Sequence, residues 1–394
     1  MNFLIYIWFL HVFINSLLPV GGMSHIKTIT FILLSLSSIL VLIIKKSKLK
    51  IINVVIIFLQ VFILIWYFFL TFVFLREDGG ALHQFISMLS MIIVIHLGLI
   101  LYNSGLLSSD LYIKSLILGL FFYCVLKFSI TVLIYFNYVS IDVVNVFSPD
   151  MVSLGYIGAP GFNRFVSVND FFIPFVFFFV KQVRFCRVLE FLIKVVFLTA
   201  ILFSFTRSIW VVFLILSVFS NIRSIRFILV NIFMLFLLIL SLFYIESYSD
   251  FSIVTSIEQR LFSEGGESNN EKYNQSIVLL DELNSHLLFG KGLGTYVESY
   301  VRNDRLKYGY EVSWLVYAFQ FGIPILIFWV IMLFSPFTIL FRVNSKSIDA
   351  FFPAFCLFIF LLIGFTNPIL LGNLTALFYL FLYLCNKRLV FNGK

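Results

Sequence analysis

The chain has 394 residues, of which 61% are hydrophobic and only 12% are charged, and its net charge is +8. An ordinary soluble domain has about twice that share of charged residues, so the composition excludes a water-soluble globular protein. Several apolar runs reach the roughly 20 residues that a helix needs to cross a bilayer, and they lack the alternation of a transmembrane β-barrel. The sequence therefore predicts an all-α polytopic membrane protein.

The basic residues occur in short clusters between apolar runs, as in the cytoplasmic loops of membrane proteins. This arrangement does not indicate a nucleic-acid-binding face. The four cysteines lie in or beside apolar runs and form no C-x-x-C pair. We therefore expect no disulfide, no bound metal and no cofactor.

Apolar runs between polar breaks predict about twelve transmembrane spans. They cover residues 3–22, 27–44, 51–75, 82–102, 112–137, 169–182, 188–206, 208–221, 227–245, 311–334, 350–366 and 369–385. The first run has no preceding basic region and no cleavage site of small residues, so it is expected to be retained as a span. With this arrangement most Lys and Arg lie on the side of the two termini, which are therefore expected in the cytoplasm.

The segment 188–221 is either one long span with Arg207 at its centre or two short spans that turn at Arg207. A central arginine costs at least about 3 kcal/mol on insertion scales. The flanking stretches RFCR and NIRSIR are both basic and both suit the cytoplasm. We therefore predict a hairpin, with Arg207 at its outer turn.

The chain is predicted to divide into three parts. Residues 1–245 hold spans one to nine, 246–310 form a small, mainly helical extracytoplasmic domain, and 311–394 hold the last three spans and a cytoplasmic tail. A further outer segment, 138–168, contains several Gly and Pro residues and is expected to be an ordered, turn-rich loop.

Within the outer domain, one stretch has the period of an amphipathic helix. Its predicted apolar face consists of Tyr273, Ile277, Leu280, and Leu283 or Asn284. The glycine-rich sequence GKGLG, residues 290–294, is expected to end the helix. GKGLG lacks the spacing of a nucleotide-binding phosphate loop.

Seven charged residues on the predicted outer side are candidates for a functional site. They are Arg164, Arg207, Arg260, Lys272, Arg302, Arg305 and Glu311. Arginine stays charged and binds two phosphate oxygens at once, which predicts an anion site. The structural alternatives are that Arg207 is an interfacial anchor and that Glu311 serves the N-terminus of a helix. Lys127 lies in the middle of a span, where a charge is costly, and the sequence reveals no partner for it.

An ordered set of motifs between about residues 199 and 330 resembles the Wzy-type O-antigen polymerases and the related O-antigen ligases. FSFTRSIWVV places Arg207 between two short spans, LLFGKGLGTY follows the helix of the long outer loop, and FQFGIPILIFW lies in the next span. Ligases usually have His followed by Asn where this chain has Glu311 and Val312. This difference favours a polymerase.

The resemblance implies a metal-independent glycosyltransferase at the periplasmic face of the bacterial inner membrane, acting in lipopolysaccharide biosynthesis. It would transfer a growing glycan from a polyprenyl pyrophosphate, such as undecaprenyl pyrophosphate, to a sugar hydroxyl of the next lipid-linked repeat unit. The expected partners are this polyprenyl-pyrophosphate-linked oligosaccharide, membrane lipid and a chain-length regulator protein.

The resemblance also implies roles for the candidate residues. Arg207 and Glu311 would be catalytic, with Glu311 as the base for the acceptor hydroxyl and Arg207 at the pyrophosphate. The residues that would bind pyrophosphate or glycan are Arg164, Arg260, Lys272, Arg302 and Arg305.

Two other functions remain open at this point. An O-antigen ligase would attach the finished glycan to the lipid A core. A flippase or other transporter would carry charges along a central path and would show pseudo-repeats in its two halves. The few charges within the predicted spans favour an enzyme over a transporter.

Overall fold

A computed structural model describes most of the chain. The described residues are 2–19, 24–45, 51–74, 80–142, 144, 152–156, 163–204, 206–220, 233, 265–301, 307–343, 348–364 and 372–392. The described residues are predominantly helical. The helices are α1 Asn2–Leu17, α2 Ser24–Ile44, α3 Ile51–Phe74, α4 Ala81–Asn103, α5 Ser109–Tyr135, α6 Ile173–Phe179, α7 Arg187–Phe203, α8 Arg207–Ser220, α9 Gly265–Ser285, α10 Ser313–Phe321, α11 Ile323–Val343, α12 Ile348–Ile363 and α13 Asn373–Asn392.

Four of these helices, α2 to α5, are long and apolar enough to cross a membrane, and the pair α10 and α11 would add a fifth span if it crosses as one. Much of their apolar surface is exposed. Leu36 on α2 and Phe58 on α3 are 63% and 67% exposed. Such exposure costs free energy in water but none against lipid tails, so these are the features of a membrane protein. The count of twelve spans stays a prediction.

The predicted outer segment 138–168 contains the two strands of the described structure, β1 Val152–Tyr156 and β2 Asn163–Val166. They pair antiparallel, with Val152 opposite Val166. The predicted span 169–182 that follows is helical and consists of helix α6 between two directly adjoining 3₁₀ turns, Val168–Phe172 and Val180–Gln182. That this segment crosses the bilayer stays a prediction.

The predicted span 311–334 is not one straight helix, because α10 and α11 are bent by 120° relative to each other at a short break. The bend lies at Gly322, whose φ of +74° no helix accommodates. Pro324 follows in the first turn of α11, where its missing N–H is tolerated.

The first of two compact units comprises residues 1–4, 34–108 and 267–394. Its central helix is α13, in which every side chain from Ala376 to Cys385 is at most 6% exposed. This helix packs on α4, α11 and α12. The described part of the predicted outer domain, from residue 267 to 301, belongs to this unit.

The second unit comprises residues 5–33 and 109–266. In it, α5 contacts α7 and β2, while α6 contacts both α7 and α8. Helix α7 ends at Phe203 and α8 begins at Arg207. The helices therefore break just before Arg207, while the predicted hairpin of two spans with its turn at the outer face stays a prediction. The predicted span 227–245 lies outside the described residues, apart from Phe233.

Candidate functional site

The helix predicted in the long outer segment is present as α9, but its predicted apolar face is only partly buried. Tyr273, Ile277 and Leu280 point outward, at 66%, 41% and 45% exposure, whereas Leu283 is buried at 6%. The other buried side chains are Gln275 and Leu279, both at 0%. The three buried side chains repeat every four residues, as a packed helix face does. This face turns inward because Gln275 makes specific hydrogen bonds there.

The segment after α9 forms backbone hydrogen bonds with the bend at Gly322. Lys291 N–H donates to Phe319 O at 3.0 Å, and from the other side Ile323 N–H donates to Leu287 O at 2.8 Å. Helix ends leave backbone groups without intrahelical partners, and here the loop supplies partners. The motifs LLFGKGLGTY and FQFGIPILIFW, which are separate in the sequence, thus form one interlocked structure.

Two glycines make this close approach possible. Gly290 and Gly322 have φ values of +60° and +74°, in the left-handed region. A Cβ on Gly290 would collide with the backbone of Gln320, and a Cβ on Gly322 would collide with the backbone of Leu288. Both positions therefore require glycine.

Two of the predicted site residues meet beside this interlocked structure. Lys272 Nζ lies 3.4 Å from a carboxylate oxygen of Glu311. Their side chains are 25% and 21% exposed, so solvent reaches both. Lys272 belongs to α9, and Glu311 lies two residues before α10.

The backbone of Glu311 is fixed by α9. Gln275 Oε1 accepts the N–H of Glu311 at 2.8 Å, and Gln275 Nε2 donates to Glu271 Oε1 at 3.3 Å. The Tyr300 hydroxyl donates to the same Glu271 oxygen at 2.6 Å. Sequence reasoning missed these three partners. The available signal was the spacing of Gln275, one helical turn after Lys272.

The residue before Glu311 is equally fixed. Tyr310 Oη accepts the N–H of Val297 at 2.9 Å and donates to Tyr300 O at 3.0 Å. Burial raises the pKa of Tyr310, so this hydroxyl keeps its proton and its donor role near neutral pH. The two hydrogen bonds of Tyr310 therefore hold the chain in place directly before Glu311.

The pair offers a hydrogen-bond acceptor and a hydrogen-bond donor side by side. A carboxylate can take a proton from a hydroxyl group, and an ammonium can bind phosphate or hydroxyl oxygens. The structural alternative was that Glu311 serves the start of a helix. Glu311 lies one residue before the N-cap Val312 of α10, and its carboxylate lies beside Lys272. A chemical role for Glu311 stays a prediction.

Arg207 is partly buried and is the first residue of α8, just after the helix break. Neighbouring side chains donate hydrogen bonds to backbone carbonyls at this break. Ser204 Oγ and Trp210 Nε1 both donate to the carbonyl of Ile201, at 2.7 and 2.8 Å. The Thr206 hydroxyl donates to Ser204 O at 3.0 Å. These hydrogen bonds to backbone carbonyls give the break before Arg207 a defined geometry.

The described residues place two of the predicted arginines in the second unit. Arg164 lies in β2, and Arg207 begins α8. Lys272 and Glu311 belong to the first unit. The other predicted residues, Arg260, Arg302 and Arg305, lie outside the described residues.

Sequence reasoning also missed the partner of Lys127. Lys127 Nζ lies 2.8 and 2.9 Å from the two carboxylate oxygens of Asp170, and the two side chains are 7% and 1% exposed. Asp170 also accepts the N–H of Ser167 at 2.9 Å, in a capping box at the start of the 3₁₀ turn. The Ser-x-x-Asp pattern was the available signal for this turn.

No protein-family model matches the chain, and none of the curated proteins matches it significantly. The resemblance to the polymerases therefore rests on the ordered motifs and on the residues that they carry.

Proposed function

We propose that the chain is a polymerase of a bacterial surface polysaccharide, of the O-antigen type. The observation that supports it is the Lys272–Glu311 pair, held at the junction of the two motifs that carry the resemblance. A rigid, solvent-accessible carboxylate beside an ammonium suits the activation of a sugar hydroxyl next to an anionic substrate.

In this proposal the reaction is a single glycosyl transfer. The acceptor hydroxyl oxygen attacks the anomeric carbon of the donor glycan, and its proton passes to Glu311. The bond between that carbon and the pyrophosphate oxygen breaks, and polyprenyl pyrophosphate leaves with the bonding electrons. The protein has to position two large substrates and stabilise the departing charge.

The remaining roles come from the sequence. Arg207 and Arg164 bind the pyrophosphate through their guanidinium groups, with Arg260 and Arg305 as helpers, and Arg302 binds pyrophosphate or glycan. Lys272 binds substrate oxygens next to Glu311. The expected partners are membrane lipid and a chain-length regulator.

The proposal includes the inner membrane, about twelve spans and both termini in the cytoplasm. Reporter fusions at Lys394 and near Gly266 are then expected to report opposite sides of the membrane. Reports from the same side would contradict the predicted turn at Arg207 and the outer position of Glu311.

Gene deletion followed by gel analysis of the glycan tests the function directly. A polymerase deletion leaves a single repeat unit attached to lipid A instead of a ladder. Loss of every attached repeat would instead identify a ligase. Accumulation of lipid-linked units facing the cytoplasm would identify a flippase.

The buried Lys127–Asp170 pair is the observation that favours a flippase as a second candidate, because charges within a membrane often mark a transport path. Asp170 is also hydrogen-bonded in a capping box, however, and the pair is almost wholly enclosed. Such a fixed arrangement suits a structural role, so the polymerase remains the proposed function.

A further inference from the structure

A polar cleft lies in the first unit beside the GKGLG loop. Its volume is about 440 Å³, within the roughly 300–1,000 Å³ of typical ligand sites. Its lining includes Phe74, Glu282, Lys291, Tyr296, Glu298 and Ser299. We propose that this cleft binds the neutral sugars of the acceptor repeat unit, an assignment that rests on the proposed polymerase function.

The charges of the cleft select against the pyrophosphate. Among the described residues that line it, Glu282 and Glu298 are carboxylates and Lys291 is the one cation. An anionic group would face a net negative lining, and like charges brought together repel each other. Sugar hydroxyls, which donate and accept hydrogen bonds, satisfy carboxylates and an ammonium equally well.

The ammonium group of Lys291, the hydrogen-bond donor in the cleft, is held in place before any ligand binds. Lys291 Nζ donates to Glu282 Oε2 at 2.5 Å and lies 5.5 Å from the centre of the Phe319 ring. Glu298 is exposed, and its carboxylate oxygens can accept hydrogen bonds from hydroxyl groups. A fixed donor and an accessible acceptor reduce the entropic cost of binding an oligosaccharide.

Two aromatic rings, those of Phe74 and Tyr296, also line the cleft. Phe74 is 43% exposed at the edge of the cleft. The Tyr296 ring has the ammonium of Lys307 at 5.1 Å from its centre, and Lys307 Nζ also donates to Tyr296 Oη at 3.3 Å. The Tyr296 ring held by Lys307 and the exposed Phe74 ring provide flat apolar surfaces against which the C–H faces of sugars can pack.

The cleft has a fixed relation to Glu311. Val297, in the cleft wall, donates its N–H to Tyr310 Oη at 2.9 Å, and Tyr310 directly precedes Glu311. Val297 and Tyr310 also pack with Leu279 and Val312 in one hydrophobic cluster. An acceptor glycan in the cleft therefore has a defined position relative to the proposed base, as a base-activated hydroxyl requires.

The test compares two cleft variants with a matched control in the purified full-length protein. Glu298→Gln removes one charge at constant size, and Tyr296→Ala removes one ring. Asp281→Asn is the control, because Asp281 is exposed next to Glu282 but does not line the cleft. The probe is the lipid-free oligosaccharide released by mild acid from the cells' own lipid-linked repeat units. Its binding is followed by saturation-transfer NMR in nanodiscs.

Each cleft variant is expected to raise the Kd of this oligosaccharide, and the KM of the lipid-linked acceptor, about tenfold with a smaller change in kcat. Asp281→Asn should match the native protein. Unchanged Kd and KM in both cleft variants, with active polymerisation, would overturn the cleft assignment alone. Oligosaccharide binding that both variants weaken, without polymerisation by the native protein, would reject the polymerase and still support a sugar site.

Discussion

Two lysine–carboxylate pairs, one in each unit, show what burial does to an ion pair. Lys127 and Asp170 are 7% and 1% exposed and make two short hydrogen bonds. Lys272 and Glu311 are 25% and 21% exposed and lie 3.4 Å apart. In the buried pair each charge depends on the other, whereas water reaches both members of the exposed pair. This difference predicts a structural role for the buried pair and a chemical role for the partly exposed pair.

The largest expected effect is on the buried pair. Lys127→Met leaves the Asp170 carboxylate enclosed without its cation, so stability is expected to fall by about 3–5 kcal/mol. Thermal unfolding in detergent and the yield of folded protein measure this loss. The double variant Lys127→Met/Asp170→Asn removes both charges and is expected to regain most of the stability. An unchanged melting temperature in Lys127→Met would contradict the structural role.

Glu311→Gln is expected to do the opposite, with a large effect on turnover and a small effect on stability. The amide keeps the size of the side chain but cannot take a proton, so turnover should fall about a hundredfold or more. Purified enzyme with synthetic lipid-linked repeat units measures it. Since the pair is partly exposed, stability should change by at most about 1 kcal/mol. Near-native turnover of the Gln variant would end the assignment of Glu311 as base.

Lys272→Met is expected to have an intermediate effect. It removes a cation that assists binding but takes no part in proton transfer, so kcat/KM should fall about tenfold, mostly through KM. Steady-state kinetics with the lipid-linked acceptor give the two constants separately. Lys272→Arg, which keeps the charge, is the control. A loss as large as that of Glu311→Gln would assign Lys272 to the chemical step itself.

The smallest expected effect is the difference between the two ion pairs in how their coupling energy responds to salt. Raising the ionic strength from about 0.1 M to about 1 M shortens the Debye length from about 10 Å to about 3 Å. A double-mutant cycle on Lys272 and Glu311 should give a coupling of at most about 1 kcal/mol that disappears in high salt. The same cycle on Lys127 and Asp170 should give a coupling that salt leaves unchanged. Equal salt sensitivity would remove the distinction.

The sequence predicts those features that depend on local pattern. The presence of helix α9, the break before Arg207 and the membrane-length helices all follow from periodicity, charge and hydropathy. The buried face of α9 does not, because Gln275 turns inward for a hydrogen bond to the backbone of Glu311, which is distant in the sequence. A polar side chain with a specific partner can override an apolar stripe.

The candidate site, too, could be predicted from the sequence only where local pattern determines it. Lys272 and Glu311 could each be proposed from residue type and predicted side, but their contact depends on the loop that folds against the bend. For Lys127 the cost of a charge within a span was evident from the sequence, whereas its partner lies 43 residues further along the chain. Contacts of this range follow from packing, which no local pattern encodes.

The bend at Gly322 has a consequence for the order in which the protein is assembled in the membrane. Its exposed backbone groups obtain partners from Leu287 and Lys291, and Tyr67 Oη donates to Phe321 O at 2.7 Å. All three partners precede the bend in the chain and are synthesised before it. When α10 and α11 leave the ribosome, the residues that complete the hydrogen bonds of their bend have therefore already been synthesised. The loop after α9 has to wait for the bend, because Lys291 N–H donates to Phe319 O.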